Sequence, residues 1–213
     1  MLKALGAPSL REPPESVVRH LRGGISGAIP ETPKPGDDVL EFVEHRLLGS
    51  NRTSLVAAAD KARALGFAVD TFAEDMIGDV HVQAKRFAKA LGNLSGRSGP
   101  AALVAGGELT LRVSGSGLGG RSQEFALVVA RELAGREGVV VLAAGTDGTD
   151  GPTDAAGAFA DGDTWRRAGE KGLDPEARLA NNDAYHVFDP LGALLRTGPT
   201  GTNVNDLVIG LVH

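Results

Sequence analysis

Beyond residue 100 the sequence alternates short apolar runs with glycine clusters, and that alternation limits the folds open to it. Residues 101–104, 109–113, 139–143 and 207–212 are apolar runs of strand length, and the first three are each followed by a glycine-rich turn. Residues 123–133, 164–171 and 183–188 between them carry helical spacing. Strands of this length interleaved with helices predict an α/β fold whose sheet is covered on both faces. Glycine is abundant, 30 of 213 residues, roughly twice the usual share of about 7%. Glycine allows positive φ and close backbone approach. Ligands of open α/β sheets collect just beyond the carboxyl ends of strands, so the turns after these strands are the places to look for chemistry.

The first hundred residues read differently. Two stretches, 11–14 and 29–38, are rich in proline, glycine and charge, with a short helical run at 15–21 between them. This is the pattern of a segment that packs on something else. A short amphipathic helix is expected over 39–48. Gly49-Ser50-Asn51-Arg52-Thr53 then precedes apolar residues at Leu55, Val56, Ala59, Ala62 and Leu65. Ser50 or Asn51 is placed to cap that helix and Gly66 to end it. Residues 67–72 alternate as a strand, and Val80, Ala84, Phe87, Ala88 and Leu91 form one stripe of a second helix. The polar stretch 93–100 is the expected boundary between a first domain, 1–95, and a second, 96–213.

Composition excludes several classes. A net charge of −5 is wrong for nucleic acid, whose phosphates need lysine and arginine. The absence of cysteine removes disulfides, thiolate metal sites and cysteine nucleophiles. The longest apolar runs, such as 139–144, fall far short of the ~18 residues of a membrane helix. Residues 1–16 hold three prolines and no apolar core of a signal sequence, so the cytoplasm is the expected location. The histidines are scattered without ligand spacing, which assigns them to surface or packing.

Three loops could carry chemistry. Gly115-Ser116-Gly117-Leu118-Gly119-Gly120 satisfies G-x-G-x-x-G and opens a helix. Bare amides and the helix N-terminus there suit an anion. The acidic residue of a dinucleotide site is missing about 20 positions on, since Asp147 comes too late. Arg121 stands where a cation is electrostatically unfavourable. Either an anionic ligand lies between the amides and its guanidinium, or Arg121 pairs with Glu108 or Glu124 on the surface. The second loop, residues 145–154, carries Asp147, Asp150 and Asp154. These either gather around Mg²⁺ or serve as Asx turns. In the third loop, residues 196–206, Thr197, Thr200, Thr202, Asn203 and Asn205 could wrap a phosphate or a carboxylate. No Walker A, protein-kinase or nucleophile-elbow sequence is present.

Taken in order, Gly49–Thr53, Gly106-Gly107-Glu108, Gly119-Gly120-Arg121-Ser122-Gln123-Glu124, residues 145–157, Asn182-Asp183-Ala184-Tyr185 and residues 197–206 resemble the glycerate 2-kinase/hydroxypyruvate reductase-like family. From Gly106 onward the chain is similar to the family's C-terminal MOFRL domain. The resemblance implies a mixed sheet with helices on both faces, joined to a remnant of a Rossmann-like first domain. It implies ATP-dependent phosphorylation of D-glycerate, at C2, with ATP and Mg²⁺ as cofactors, no nucleic-acid or membrane partner, and a homodimer as the assembly to test for. Arg121 matches the family's active-site arginine. Asp147 and Asp150 are the expected Mg²⁺ ligands, and Glu108, Gly119, Gly120, Gln123, Thr200 and Asn203 the expected substrate or nucleotide contacts. Family members are about twice as long, and the lysine and aspartate of their first domain have no counterpart here. A nicotinamide-dependent hydroxypyruvate reductase and a non-catalytic fragment or subunit are the alternatives.

Overall fold

The computed structural model describes residues 14–213, and the expectations about the first 13 residues lie outside that range. Two compact units divide between Arg46 and Leu47. The first holds helix α1 (Glu15–Ile25), which buries none of its residues, and a 3-10 turn at Asp38–Leu40. The helix expected over 39–48 does not form. Its apolar stripe would rest on Val39 and Phe42, which are 67% and 93% exposed. Short helices are marginal in water without a packed face.

The second unit contains α2 (Asn51–Ala64), β1 (Ala68–Asp79), α3 (Val80–Leu94), β2 (Ala101–Thr110), α4 (Arg121–Glu132), β3 (Val139–Gly145), β4 (Gly157–Asp161), α5 (Thr164–Glu170), α6 (Pro175–Ala180), α7 (Tyr185–Phe188), β5 (Leu194–Leu195) and β6 (Asp206–Val212). They form one six-stranded sheet in the order β1-β2-β6-β3-β4-β5. The β1–β2 pair is parallel and the others antiparallel, so the sheet is mixed. Successive side chains of a strand point to opposite faces. Leu103 and Val208 therefore meet Phe87, Leu91, Phe125 and Leu127 of α3 and α4, while Val104, Leu207 and Ile209 meet Leu55 and Ala59 of α2. Phe87 and Phe125 pack edge to face with centroids 5.7 Å apart. Both are fully buried, each worth roughly 1.5–3 kcal/mol of transfer free energy.

Local signals set the helix starts. Ser50 and Thr53 form a capping box at α2, and Gly66 with φ 90° follows its end. The Asp79 carboxylate accepts from the amides of His81 and Val82 at the start of α3. Asp174 does the same for α6 through Ala177, with Pro175 in the first turn. That helix and β4 escape the sequence reading. Gly157-Ala158-Phe159-Ala160-Asp161 has little strand propensity, and it pairs because β3 offers it a complete antiparallel register from Val140 to Ala144.

Two expectations need correction. Residues 101–104 and 109–113 are not separate strands, because β2 runs unbroken through Gly106 and Gly107. Those glycines provide close approach rather than a turn. Gly107 has φ 151°, and a Cβ there would lie 2.2 Å from the Met76 carbonyl oxygen of β1. Compactness also does not break near residue 95. Strand β1 and helix α3 share sheet and core with β2 and α4, and the division falls at Arg46.

The topology brings the carboxyl ends of β2 and β3 beside the start of β6, with Asp206 opposite both Gly107 and Gly145. Parallel pairing adds the carboxyl end of β1 to the same edge. Gly107→Ala should lower the unfolding free energy by about 1–3 kcal/mol, measured by urea denaturation. Gly66→Ala, also at positive φ but with no atom within 4 Å of the new Cβ, should cost only about 1 kcal/mol.

Candidate functional site

Arg121 opens α4 at this sheet edge, and its guanidinium turns inward. Nε and Nη2 donate to the two carboxylate oxygens of Asp206 at 2.6 and 3.1 Å, and Nη1 donates to Glu108 at 3.2 Å. Three of the five N–H groups of the fork are thus engaged and two are left. The Asp206 side chain is 6% exposed against 34% for Arg121. Hydrogen bonding to Asp206 holds the Arg121 proton more firmly than usual. Burial nonetheless leaves the Asp206 carboxyl above the ordinary aspartate range, with the bonds from Arg121 opposing the rise. The two shifts point opposite ways because the carboxylate is the partner that loses its water. The short paired geometry is that of an ion pair.

The cation at the helix start is explained by a carboxylate beneath it. Both oxygens of Asp150 accept backbone amides of the first turn of α4, from Ser122 at 3.0 Å and from Gln123 at 2.8 Å. Asp150 is 4% exposed, and burial lifts its carboxyl to about 6 against the pull of those two amides. A Cβ on Gly120 would lie 2.4 Å from the Asp150 Cγ, so glycine is needed there to let the carboxylate in. The helix N-terminus expected to hold a ligand's phosphate holds an internal anion instead.

The glycine loop is corrected in the same way. Asn182 accepts from the amides of Ser114 and Gly115, Asn181 from Ser116 and Gly117, and Asp183 from Leu118. Five consecutive amides are therefore committed to residues 181–183, and the loop is not a cradle for a phosphate. Gly119 packs near Ala184, where a Cβ would lie 3.4 Å from its amide nitrogen. Gln123, an expected ligand contact, is fully buried and donates to the Thr153 hydroxyl at 3.0 Å.

The expected Mg²⁺ pair does not form either. Asp150 has both oxygens on amides, and Asp147 has Oδ1 on the Thr149 amide at 3.0 Å and Oδ2 facing the Asn203 amide group at 3.4 Å. Among the described residues no three histidine, aspartate or glutamate side chains gather as a metal site. The residues present do not fit the ion.

The third loop is stitched to the second. Thr146 donates its hydroxyl to the Asn205 carbonyl at 2.7 Å and accepts from the Val204 amide at 2.9 Å. The Thr200 hydroxyl donates to the Thr146 carbonyl at 2.5 Å, and its amide bonds the Asp147 carbonyl. Thr200 and Asn203 thus fix backbone, with both residues exposed. Asn51, at the start of α2, donates to the carbonyls of Val204 and Asp206 at 2.7 and 2.8 Å. Its Oδ1 sits over Gly106, where a Cβ would lie only 1.9 Å away.

Sequence reasoning passes over Asp206, the partner of Arg121, although a charge directly before an apolar strand is a visible signal. It also passes over a contact between half-buried His81 and buried Glu124, on the first turns of α3 and α4. Glu124, 1% exposed, accepts from Asn182 at 3.1 Å and lies 2.9 Å from the His81 ring. Burial raises its carboxyl, while His81 and Asn182 oppose the rise. A cleft of about 660 Å³ lined by Arg136, Asp161 and His213 shares no residue with the Arg121 cluster and lies at the opposite sheet edge.

The Asp150 cap gives a pH prediction. Its folded-state value of about 6 exceeds the ordinary 3.8, so the folded chain binds this proton more tightly than the unfolded one. The stabilisation is complete below 3.8 and is lost as pH rises to about 6. Thermal unfolding of the chain and of Asp150→Asn should show the advantage of the native residue shrinking from pH 4 to pH 6.5. A difference that grows with pH would contradict the raised value.

Residues 101–206 match the MOFRL family model. The chain is 43% identical over 186 residues to the "D-glycerate 2-kinase" of Thermotoga maritima, covering 85% of this chain and 44% of that protein. It is 39% identical over 204 residues to the "Glycerate 2-kinase" of Pyrococcus horikoshii, covering 93% and 46%. A crystal structure of glycerate kinase from Thermotoga maritima superposes with a TM-score of 0.77 at 42% identity, over 80% of this chain and 42% of that one. The chain spans just under half the length of these relatives. Residues 101–206, with Arg121 and Asp206 at their sheet edge, are a MOFRL family domain, and over 85–93% of its length the chain is similar to the glycerate 2-kinases named above.

Proposed function

We propose that this chain forms one wall of the active site of a glycerate 2-kinase, which transfers the γ-phosphoryl group of ATP to the C2 hydroxyl of D-glycerate. The observation that carries the reading is Arg121, held at the sheet edge by Asp206 and Glu108 with two N–H groups unspent. A planar fork suits a phosphoryl group or the glycerate carboxylate. The names of relatives at 39–43% identity support the same reaction.

In that reaction the substrate oxygen bonds to the γ-phosphorus while the bond to the bridging oxygen breaks, releasing ADP, and the hydroxyl proton passes to a base. Such chemistry rests on positioning and charge neutralisation. Arg121 contributes charge and orientation, and the Asp206 carboxylate keeps its fork aimed. The base, the nucleotide cradle and any Mg²⁺ ligands belong, on this reading, to the part of the relatives that this chain does not span. Residues 1–95 then correspond to the remainder of a Rossmann-like first domain, even though β1 and α3 share the second domain's sheet. An ATP-consuming reaction of this kind fits the cytoplasm. The reductase alternative needs a dinucleotide pyrophosphate site, and the glycine loop has its amides committed to residues 181–183.

Incubating the chain alone with ATP, MgCl₂ and D-glycerate should give no ADP above background. The same domain within a protein of the relatives' full length should give 2-phosphoglycerate, identified by ³¹P NMR. In that protein Arg121→Ala should lower kcat/KM at least tenfold, about 1.4 kcal/mol of transition-state stabilisation, with Arg121→Lys recovering part of it. NADH oxidation with hydroxypyruvate, without ADP formation, would replace the kinase reading.

A further inference from the structure

The backbone that carries Asp206 is itself held in place. The chain enters β6 through Val204-Asn205-Asp206, with Asn205 at φ 66°. Few residues other than glycine adopt that left-handed conformation, and it persists where the surroundings fix it. Two side chains do so here. Thr146 accepts from the Val204 amide and donates to the Asn205 carbonyl. Asn51, 155 residues before Asp206 in sequence, donates from Nδ2 to the carbonyls of Val204 at 2.7 Å and Asp206 at 2.8 Å. It is the first residue of α2, whose start is set by the Ser50–Thr53 capping box. The other end of the same side chain is unusual, because Oδ1 is buried and has no hydrogen-bond partner. It rests over Gly106 of β2, in space that a Cβ on that residue would fill. A buried acceptor without a donor is unfavourable. What the asparagine supplies in exchange is two donors aimed at the entry to β6.

We infer that Asn51 is a positioning residue for Arg121, acting through the Asp206 backbone. Asp206 takes Nε and Nη2 of the fork at 2.6 and 3.1 Å, a planar two-point contact that depends on where the carboxylate sits. Glu108 makes a single contact at 3.2 Å, from a side chain 57% exposed. Asp206 therefore sets the orientation of the fork, and Glu108 follows it. Asn51 fixes the Asp206 carbonyl, while its Oδ1 packs on Gly106, two residues before Glu108 on the same strand. One side chain of α2 thus gauges the separation of the two carboxylates that grip Arg121. Without it, the left-handed turn at Asn205 keeps only its tether to Thr146, and the Asp206 carboxylate is free to shift on the fork. This role extends the reading of Arg121 as a substrate contact and rests on it.

The test compares proton exchange at two places in the 213-residue chain, followed by NMR. One is the Arg121 Nε–H, which Asp206 protects; the other is the Ser122 and Gln123 amides, which Asp150 holds independently of Asn51. Asn51→Ala suits a helix start, and Asn51→Asp keeps the shape while removing both donors. A cooperative thermal transition shows that each variant is folded. In both, the Nε–H should exchange roughly tenfold faster, with the Ser122 and Gln123 amides unchanged. Unaltered Nε–H exchange would overturn the inference. So would equal acceleration at both places, which would reduce Asn51 to a general support of the fold. In a protein of the relatives' full length, Asn51→Ala should lower kcat/KM, and Asn51→Ala/Arg121→Ala should be no slower than Arg121→Ala alone. Losses that add would place the effect of Asn51 outside Arg121 and overturn the positioning role. Full activity in Arg121→Ala would instead count against the kinase reading, while the exchange rates in the chain alone still decide whether Asn51 sets the fork.

Discussion

A carboxylate under the first turn of α4 is the interaction on which the rest of the sheet edge depends. Asp150 satisfies two amides that no helix can satisfy internally, and its charge lies where the helix dipole is positive. With that anion in place, Arg121 can occupy the first helical position without penalty. Gly120 and Gly151 exist in this arrangement to let the backbones close around the cap: a Cβ on either would lie within 2.5 Å of an atom of the facing loop. The loops at 115–120 and 145–154, which look like two separate ligand sites in sequence, are two halves of one internal contact.

That contact explains how the site divides between legible and hidden. The helices at 51, 80 and 121, the strands at 139 and 207 and the covered sheet follow from periodicity and caps. Arg121 was legible as a cation in an unfavourable place, and its pairing with Glu108 was one of two readings left open. Its bond to Asp206 was not legible, because 85 residues separate the partners and only the insertion of β6 between β2 and β3 brings them together. Glycine patterns suggest ligand binding for a physical reason: a bare backbone serves equally for a phosphate and for a carboxylate of the same chain. Sequence alone does not say which anion arrives. The Asn182-Asp183 pair decides it, by spending its side chains on the loop amides.

The polar groups at this edge form a rigid network rather than an open receptacle. Thr146 and Thr200 stitch the second loop to the third, Asn51 ties α2 to the start of β6, and Glu124 links His81 to Asn182. Such networks restrict the arrangement of their members, and here Asn51 Oδ1, Ser122 Oγ and Gln123 Oε1 stay buried without a partner. Arg121 is thereby presented at a defined position with a limited set of free donors. A group so placed is suited to charge stabilisation in a cleft completed by other residues.

The position of β6 has a consequence for how the chain is made. It is the last strand in sequence, yet it lies in the middle of the sheet, with β2 on one side and β3 on the other. During synthesis from the N-terminus, β1–β2 and β3–β4–β5 emerge as two separate ribbons, each with an open edge. Neither the shared core face nor the ion pair at Asp206 can assemble until residues 206–212 leave the ribosome. Between the emergence of β3 and that of β6 the nascent chain therefore carries two strand edges, of β2 and of β3, still waiting for their partner, a condition that exposes it to aggregation.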